Sequence, residues 1–199
     1  MTRKLEGTFI GFCGAGGTGK TTTAKLLASR LHYGFLPSAS RDVFKRMGYQ
    51  QETDQDKLNP NERWLLQRNI QVAHMTSMSD YFGKPVVTDR TQIDQHAYAL
   101  LYCNSTLSVA DLTWLHDLVE RALQFYKKVF YFPLTDFPTN DDRMRTTRQG
   151  ERLAFDCILY GLIRLFDVPI TVVPVLGLED RVEFIEACIS NPSIRYVQH

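Results

Sequence analysis

Cysteine is scarce in this sequence, and none of it is placed where a covalent or metal framework would need it. The four residues Cys13, Cys103, Cys157 and Cys188 form no C-x-x-C pair and no zinc-finger spacing. A disulfide scaffold and a structural zinc site are thereby excluded as sources of stability, and reduced thiols are the plain reading. Long apolar runs are missing as well. Nowhere do about 18 apolar residues follow one another, and the N-terminus lacks the apolar core of a signal peptide. The expectation is a cytosolic protein with no membrane partner. Net charge is nearly absent at +1, so no general attraction to nucleic acid arises, although a local basic patch stays open. The five histidines show no metal-ligand spacing, and there is no repeat or low-complexity tract.

What remains is an ordinary globular composition, 44% hydrophobic and 23% charged over 199 residues. That length buries one sizeable core and is most simply one domain spanning residues 1–199. Strand-like runs at 8–13, 35–38, 85–88, 128–132 and 170–175 alternate with helical patterns, the clearest at 20–31, 61–81, 109–126, 150–166 and 178–190. Such alternation predicts an α/β protein with a parallel sheet covered by helices on both faces. Two polar stretches, 48–61 and 133–150, break the rhythm; loops this long are uncommon and often functional, so both are candidate substrate-binding flaps.

Residues 14–21 read GAGGTGKT, a full match to the phosphate-binding pattern G-x-x-x-x-G-K-[ST]. Background composition gives a chance match of roughly 4 in 10⁵ per position, under about 1% for the whole chain. The context fits too, because TFIGFC precedes the loop and KTTTAKLLASRL follows it with Ala24, Leu27, Ala28 and Leu31 at helical spacing. Backbone N–H groups of Gly14, Ala15, Gly16, Gly17, Thr18, Gly19, Lys20, Thr21 and Thr22 would wrap a nucleotide's phosphates. Lys20 would reach the β and γ groups, and the Thr21 hydroxyl would bind Mg²⁺. ATP and Mg²⁺ are the expected cofactors.

The run PVVTD ends at Asp89, followed by Arg90. Ligands of open parallel sheets lie at the carboxyl ends of strands, so Asp89 should emerge beside the loop. There it holds Mg²⁺ or accepts a proton from an attacking hydroxyl, unless it only caps the next helix; Arg90 would neutralise phosphate charge. Asp94, one turn later, either shares the site or is a solvated acid at a helix start. The second flap carries Arg143, Arg145, Arg148 and Arg152. Guanidinium groups on a closing segment stabilise a phosphoryl group in flight and exclude water, which suits a kinase better than a hydrolase. Arg145 and Arg148 are the first choices, with Arg152 on the following helix; the alternative is a solvated loop paired to Asp136, Asp141 and Asp142.

Taken with PSASRDVF at 37–44, VVTDRTQIDQHAYAL at 86–100, NDDRMRTTRQGER at 140–152 and VPITVVPVLG at 168–177, the loop makes the chain resemble the small P-loop kinases of the adenylate kinase-like group. Within it the chain is similar to the set holding nicotinamide riboside kinase domains and many bacteriophage proteins. The resemblance implies a three-layer fold on a five-stranded parallel sheet, an acceptor-side insertion near 38–82 and an arginine-bearing lid near 133–150. It places the acceptor between residues 38–41 and the helix beginning near Asn61. Ser38 stands where the group often has a glutamate, and Arg143 where it usually has a glycine. Arg41 would clamp an acceptor phosphate bidentately or lie on a helix surface. Trp64 and Gln67 would stack on and hydrogen-bond a base, unless Trp64 is core. His96 and Tyr98 read as structural.

Three function classes follow. The first is a kinase of a free nucleoside or nucleotide. The second is a kinase of a hydroxymethylated pyrimidine base within DNA, which would need a basic face built from Lys45, Arg46, Lys127, Lys128 and the flap arginines, and steep salt dependence. The third is a P-loop ATPase or nucleotide switch that transfers phosphate only to water.

Overall fold

A computed structural model describes residues 3–49, 52–134 and 149–191. Five parallel strands form one sheet in the order β2-β3-β1-β4-β5, with β1 Phe9–Cys13, β2 Gly34–Leu36, β3 Val86–Asp89, β4 Tyr126–Tyr131 and β5 Ile170–Val172. Helices α1 Lys20–Leu31, α2 Ser40–Arg46, α3 Pro60–Ser79, α4 Gln92–Cys103, α5 Val109–Leu123, α6 Gln149–Leu165 and α7 Leu178–Ser190 connect and cover them. The fold is the expected three-layer α/β arrangement. Within the flap expected at 48–61, Glu52–Lys57 forms a 3₁₀ turn. Of the lid expected at 133–150, residues 135–148 lie outside the described residues, as do 192–199.

Period-two alternation in the strands sorts the core into two layers. Phe9, Cys13, Val86, Val129 and Tyr131 face α3–α6 and pack with Met78, Ile93, Val119, Phe155 and Leu159. Ile10, Phe12, Val87 and Phe130 face the other way, against Ala24, Leu27 and Ala28 of α1 and Val182 and Ile185 of α7. β1 is buried at every position because strands flank both its edges and helices cover both its faces. A third cluster, Val43, Phe44, Leu66 and Ile70, pins short α2 onto α3. α3 itself starts at Pro60 behind an Asn59–Glu62 capping box, which fixes its N-terminus one residue before the position read from sequence.

All five strands point their carboxyl ends the same way. β1 runs directly into Gly14, and Phe12 is paired with Asp89, so the loop and the β3 carboxylate meet at one edge of the sheet.

Candidate active site

The glycine-rich loop takes a conformation that only its sequence permits. Gly14, Gly17 and Gly19 have φ of 135°, 78° and 83°, and a Cβ on Gly14 would stand 2.3 Å from the Phe132 carbonyl oxygen. α1 opens at Lys20 behind Gly19, with no side-chain cap and no acidic residue in its first turn. Its leading N–H groups and its dipole are therefore available to an anion. Lys20 is only 4% exposed. Its Nζ donates to the Ala15 carbonyl at 2.5 Å and to Thr18 Oγ1 at 3.0 Å, lying folded over the loop.

Thr21 Oγ1 donates to Asp89 Oδ2 at 2.6 Å. A hydroxyl and a carboxylate are the hard oxygen donors that Mg²⁺ takes alongside water and phosphate oxygens. Among the described residues no group of three His, Cys, Asp or Glu forms a cage, so an ion here would complete its shell with nucleotide oxygens and water. The residues fit that mode of binding.

Arg90 follows Asp89 with φ of 109°, a backbone strained for a residue bearing a Cβ. The turn delivers its guanidinium to the Gly14 carbonyl at 3.1 Å and to Asp94 Oδ1 at 3.3 Å, above the Tyr98 ring at 4.9 Å. Asp94 is wholly buried. Its Oδ2 accepts from Thr91 N–H and Oγ1–H, closing the capping box of α4, while Oδ1 also accepts from Gly14 N–H at 3.1 Å. A buried carboxylate with every oxygen engaged is compensated; Asp94 braces the loop from behind and is not the solvated acid that was the alternative expectation.

In front of the loop lies a cavity of about 200 Å³. Lys20, Thr21, Asp89 and Arg90 line one side; Ser38 and Arg41 of the β2–α2 segment and Gln67 and Ile70 of α3 line the other. Phe35, Phe44, Tyr98 and Tyr102 supply aromatic walls, with Tyr98 and Tyr102 stacked at 6.0 Å. Gln55, Gln67 and Gln95 also line it and are at most 3% exposed. Gln67 Nε2 donates to Gln55 Oε1 at 3.2 Å. Gln71, behind them, donates to the Gln95 carbonyl and accepts from Gln92. Two polar atoms of the lining glutamines, Gln67 Oε1 and Gln95 Nε2, have no protein partner among the described residues.

The structure thus gathers Lys20, Thr21, Ser38, Arg41, Gln67, Asp89 and Arg90 around one cavity. Trp64 is not part of the lining: with Arg68, one turn on, it occupies the stripe of α3 that meets Trp114 of α5, with ring centroids 5.9 Å apart. Arg145 and Arg148 lie outside the described residues. Of the basic face expected for a polymer substrate, Lys127 and Lys128 are at the amino end of β4, opposite the loop, and Lys128 donates to the Cys188 carbonyl. The sequence reads Tyr98 as structural and gives no role to Tyr102, Gln55 and Gln95. The i, i+3 and i+7 spacing of Gln95, Tyr98 and Tyr102 on α4 was the available signal. The sequence likewise gives no role to Arg181 of α7, which donates to the Thr18 carbonyl and Thr23 Oγ1, both at 3.3 Å.

Strand, glycine loop, helix N-terminus and the β3 carboxylate together define a P-loop nucleotide-binding protein. The chain belongs to the family whose model is described as an AAA domain, which matches residues 9–181. No curated protein matches it significantly in sequence. Solved structures match in fold. Deoxyadenosine kinase from M. mycoides with bound dCTP is 14% identical with a TM-score of 0.65, covering 92% of this chain and 98% of that one. NadR protein in complex with NR is 17% identical with a TM-score of 0.66, over 96% of this chain and 53% of that one. Thymidylate kinase from Candida albicans is 14% identical with a TM-score of 0.63, over 96% and 94%. No helix among the described residues is long and apolar enough to cross a membrane.

Proposed function

We propose that the chain is an ATP- and Mg²⁺-dependent phosphotransferase that moves the γ-phosphate to a hydroxyl of a free nucleoside or nucleotide. The observation that carries this reading is the single cavity bounded on one side by Lys20, Thr21 and Asp89 and on the other by Ser38, Arg41 and Gln67. A donor phosphate on the loop and an acceptor hydroxyl in the cavity would be held side by side, the arrangement phosphoryl transfer requires. Deoxyadenosine kinase and thymidylate kinase, which are similar to the chain in fold, act on molecules of this kind, which supports the same reading.

Lys20 exchanges its loop carbonyl for phosphate oxygens and offsets their charge. Thr21 and Asp89 hold Mg²⁺, which when bound neutralises charge on the β and γ phosphates. Arg90 keeps the loop in register while facing the acceptor. Arg41 takes an acceptor phosphate where one is present. Gln67 and Gln95 hydrogen-bond a planar base between the aromatic walls. Arg145 and Arg148 act from the lid, stabilising the transferring group and excluding water.

The test is transfer of labelled γ-phosphate from ATP into a mixture of nucleosides, nucleoside monophosphates and DNA containing hydroxymethylated pyrimidine. Label in acid-soluble product is the expected result. Label only in precipitated DNA, or only in free phosphate, would overturn the free-acceptor assignment in favour of a polymer kinase or an ATPase respectively.

A further inference from the structure

Three carboxylates stand around the phosphate loop, and two of them accept hydrogen bonds from the loop or the helix it opens. Asp89 receives Thr21, and Asp94 receives Gly14, Thr91 and Arg90. Asp156, on α6, is different. Its Oδ2 accepts from the Tyr131 hydroxyl at 2.7 Å, while its Oδ1 is buried with no partner among the described residues. One helical turn earlier, Arg152 presents the complementary vacancy. Its Nε donates to the Gly16 carbonyl at 3.1 Å, and its Nη2 is likewise buried without a partner.

The two vacancies are neighbours. Residues at i and i+4 lie on one face of a helix, about 5–6 Å apart at Cβ. Burial raises the Asp156 carboxyl above its ordinary range, and Lys20 and Arg152 are among the groups that pull it back, so both phosphate-facing cations lie within its field. Tyr131 is a fixed anchor. It ends β4, is registered against Cys13, the residue directly before the loop, and is 6% exposed. Leaving a buried donor and a buried acceptor of opposite charge unpaired costs free energy, the more so because both groups are charged. A pair held open in this way, beside a loop built for anions, is accounted for when the arriving ligand completes it.

We propose that Tyr131 and Asp156 are a positioning pair for Arg152, which reads the terminal phosphate of a nucleoside triphosphate on the loop. Arg152 gives up the Gly16 carbonyl and donates Nε–H to the γ-phosphate. Nη2–H turns to Asp156 Oδ1, whose other oxygen the Tyr131 hydroxyl keeps in place. The guanidinium is then clamped between carboxylate and phosphate, and a diphosphate, with no γ group, gains nothing from it. The inference rests on the triphosphate-binding reading of the loop given above.

The experiment is the equilibrium affinity for Mg²⁺-ATP and for Mg²⁺-ADP, measured on the full chain by calorimetry. Arg152→Ala and Asp156→Asn should each weaken ATP about 10-fold and leave ADP within about 2-fold. The double variant should be no weaker for ATP than Arg152→Ala alone, because Asp156 acts only through Arg152. Tyr131→Phe, which deletes a single oxygen and keeps the ring in the core, should weaken ATP about 3-fold, and it carries the test if Asp156→Asn does not fold. Equal loss of ATP and ADP in Asp156→Asn or Tyr131→Phe, or losses that multiply in the double variant, would overturn the pair. Wild-type protein that binds ATP yet transfers phosphate to no small acceptor would overturn the phosphotransferase reading while the same affinity ratios still decide the pair. Wild-type protein that binds neither nucleotide would overturn both.

Discussion

Thr21 and Asp89, 68 positions apart in the chain, face each other across a 2.6 Å hydrogen bond at the carboxyl edge of the sheet. The contact follows from topology: β1 pairs with β3, so the hydroxyl that opens α1 and the carboxylate that ends β3 cannot avoid one another. A divalent ion held by these two residues, as proposed, would take the place of that bond. Thr21→Ala and Asp89→Asn should therefore each raise the Mg²⁺ concentration for half-maximal turnover by about 10-fold, an effect shared rather than multiplied in the double variant. Asp89→Asn should also cut turnover by about 10²-fold. A Mg²⁺ titration checks both. An unchanged Mg²⁺ requirement with turnover lost would make Asp89 a proton acceptor instead.

Lys20→Ala should abolish phosphate transfer, by about 10³-fold or more, since no other side chain replaces an ammonium over the β and γ groups. The sequence alone treats Lys20 as a ligand contact outside the core. The structure adds that it is nearly buried and that it engages the Ala15 carbonyl and the Thr18 hydroxyl. Its removal should thus also lower stability by about 1 kcal/mol, a few degrees in melting temperature for a domain of this size. Circular dichroism should show the native spectrum. Wild-type turnover in the purified variant would refute the assignment of the loop.

How much of this was legible beforehand depended on whether the signal was local. The loop, its flanking strand and helix, and the strand-end Asp89 are each written in a few contiguous residues, and short apolar runs marked the buried strands. Trp64 and Asp94 show where locality fails. Trp64 has the chemistry to stack on a base, but only tertiary packing determines that its stripe of α3 meets Trp114. Asp94 carries a capping-box signature with Thr91 in the sequence, yet its bond to Gly14, 80 positions away, exists only because β1 and β3 are adjacent. The same holds for Asp156 and Tyr131, which no motif joins. Of the glutamine lining, Gln67 was legible as a base contact, but Gln95 was missed because a glutamine on α4 reads as polar surface until α3 and α4 are seen to pack face to face.

That lining yields a prediction about the acceptor. Gln67→Leu and Gln95→Leu each remove an amide with one polar atom that lacks a protein partner; Gln67→Leu also takes the donor from buried Gln55 Oε1 and should lower stability by about 1–3 kcal/mol, so its kinetics are read on the folded fraction. If these amides hydrogen-bond a base, each variant should lose about 10- to 100-fold in kcat/KM for a base-bearing acceptor, the range of one to two buried hydrogen bonds. Activity toward ribose 5-phosphate, or ATP hydrolysis in the absence of acceptor, should stay within about 2-fold. Uniform loss across base-bearing and base-free acceptors would show that the glutamines only support the cavity wall.

The last prediction concerns acid stability and rests on two buried histidines. His74 of α3 is 1% exposed with neither ring nitrogen paired among the described residues, and His96 of α4 is 4% exposed with Nδ1 unpaired. Burial in the helical layer, chiefly, lowers the pKa of each from 6.5 to about 4; Arg90 adds to the effect at His74 and His116 at His96. In the folded protein both rings are then neutral down to about pH 4, whereas in the unfolded chain they take up protons below about 6.5. Between those values the unfolded state binds more protons, so stability is fully present above pH 6.5 and is lost as pH falls toward 4. Each histidine contributes a loss of about 2–3 kcal/mol by pH 4.5. His74→Leu, which places an apolar group where no hydrogen bond is made, should be at least as stable as wild type at pH 7.5 and should lose less stability on going to pH 4.5. Urea unfolding at the two pH values measures the difference. Identical pH dependence in the variant and the wild type would mean that His74 reaches solvent or a partner in the folded state, and that the seam between α3 and α4 is not closed.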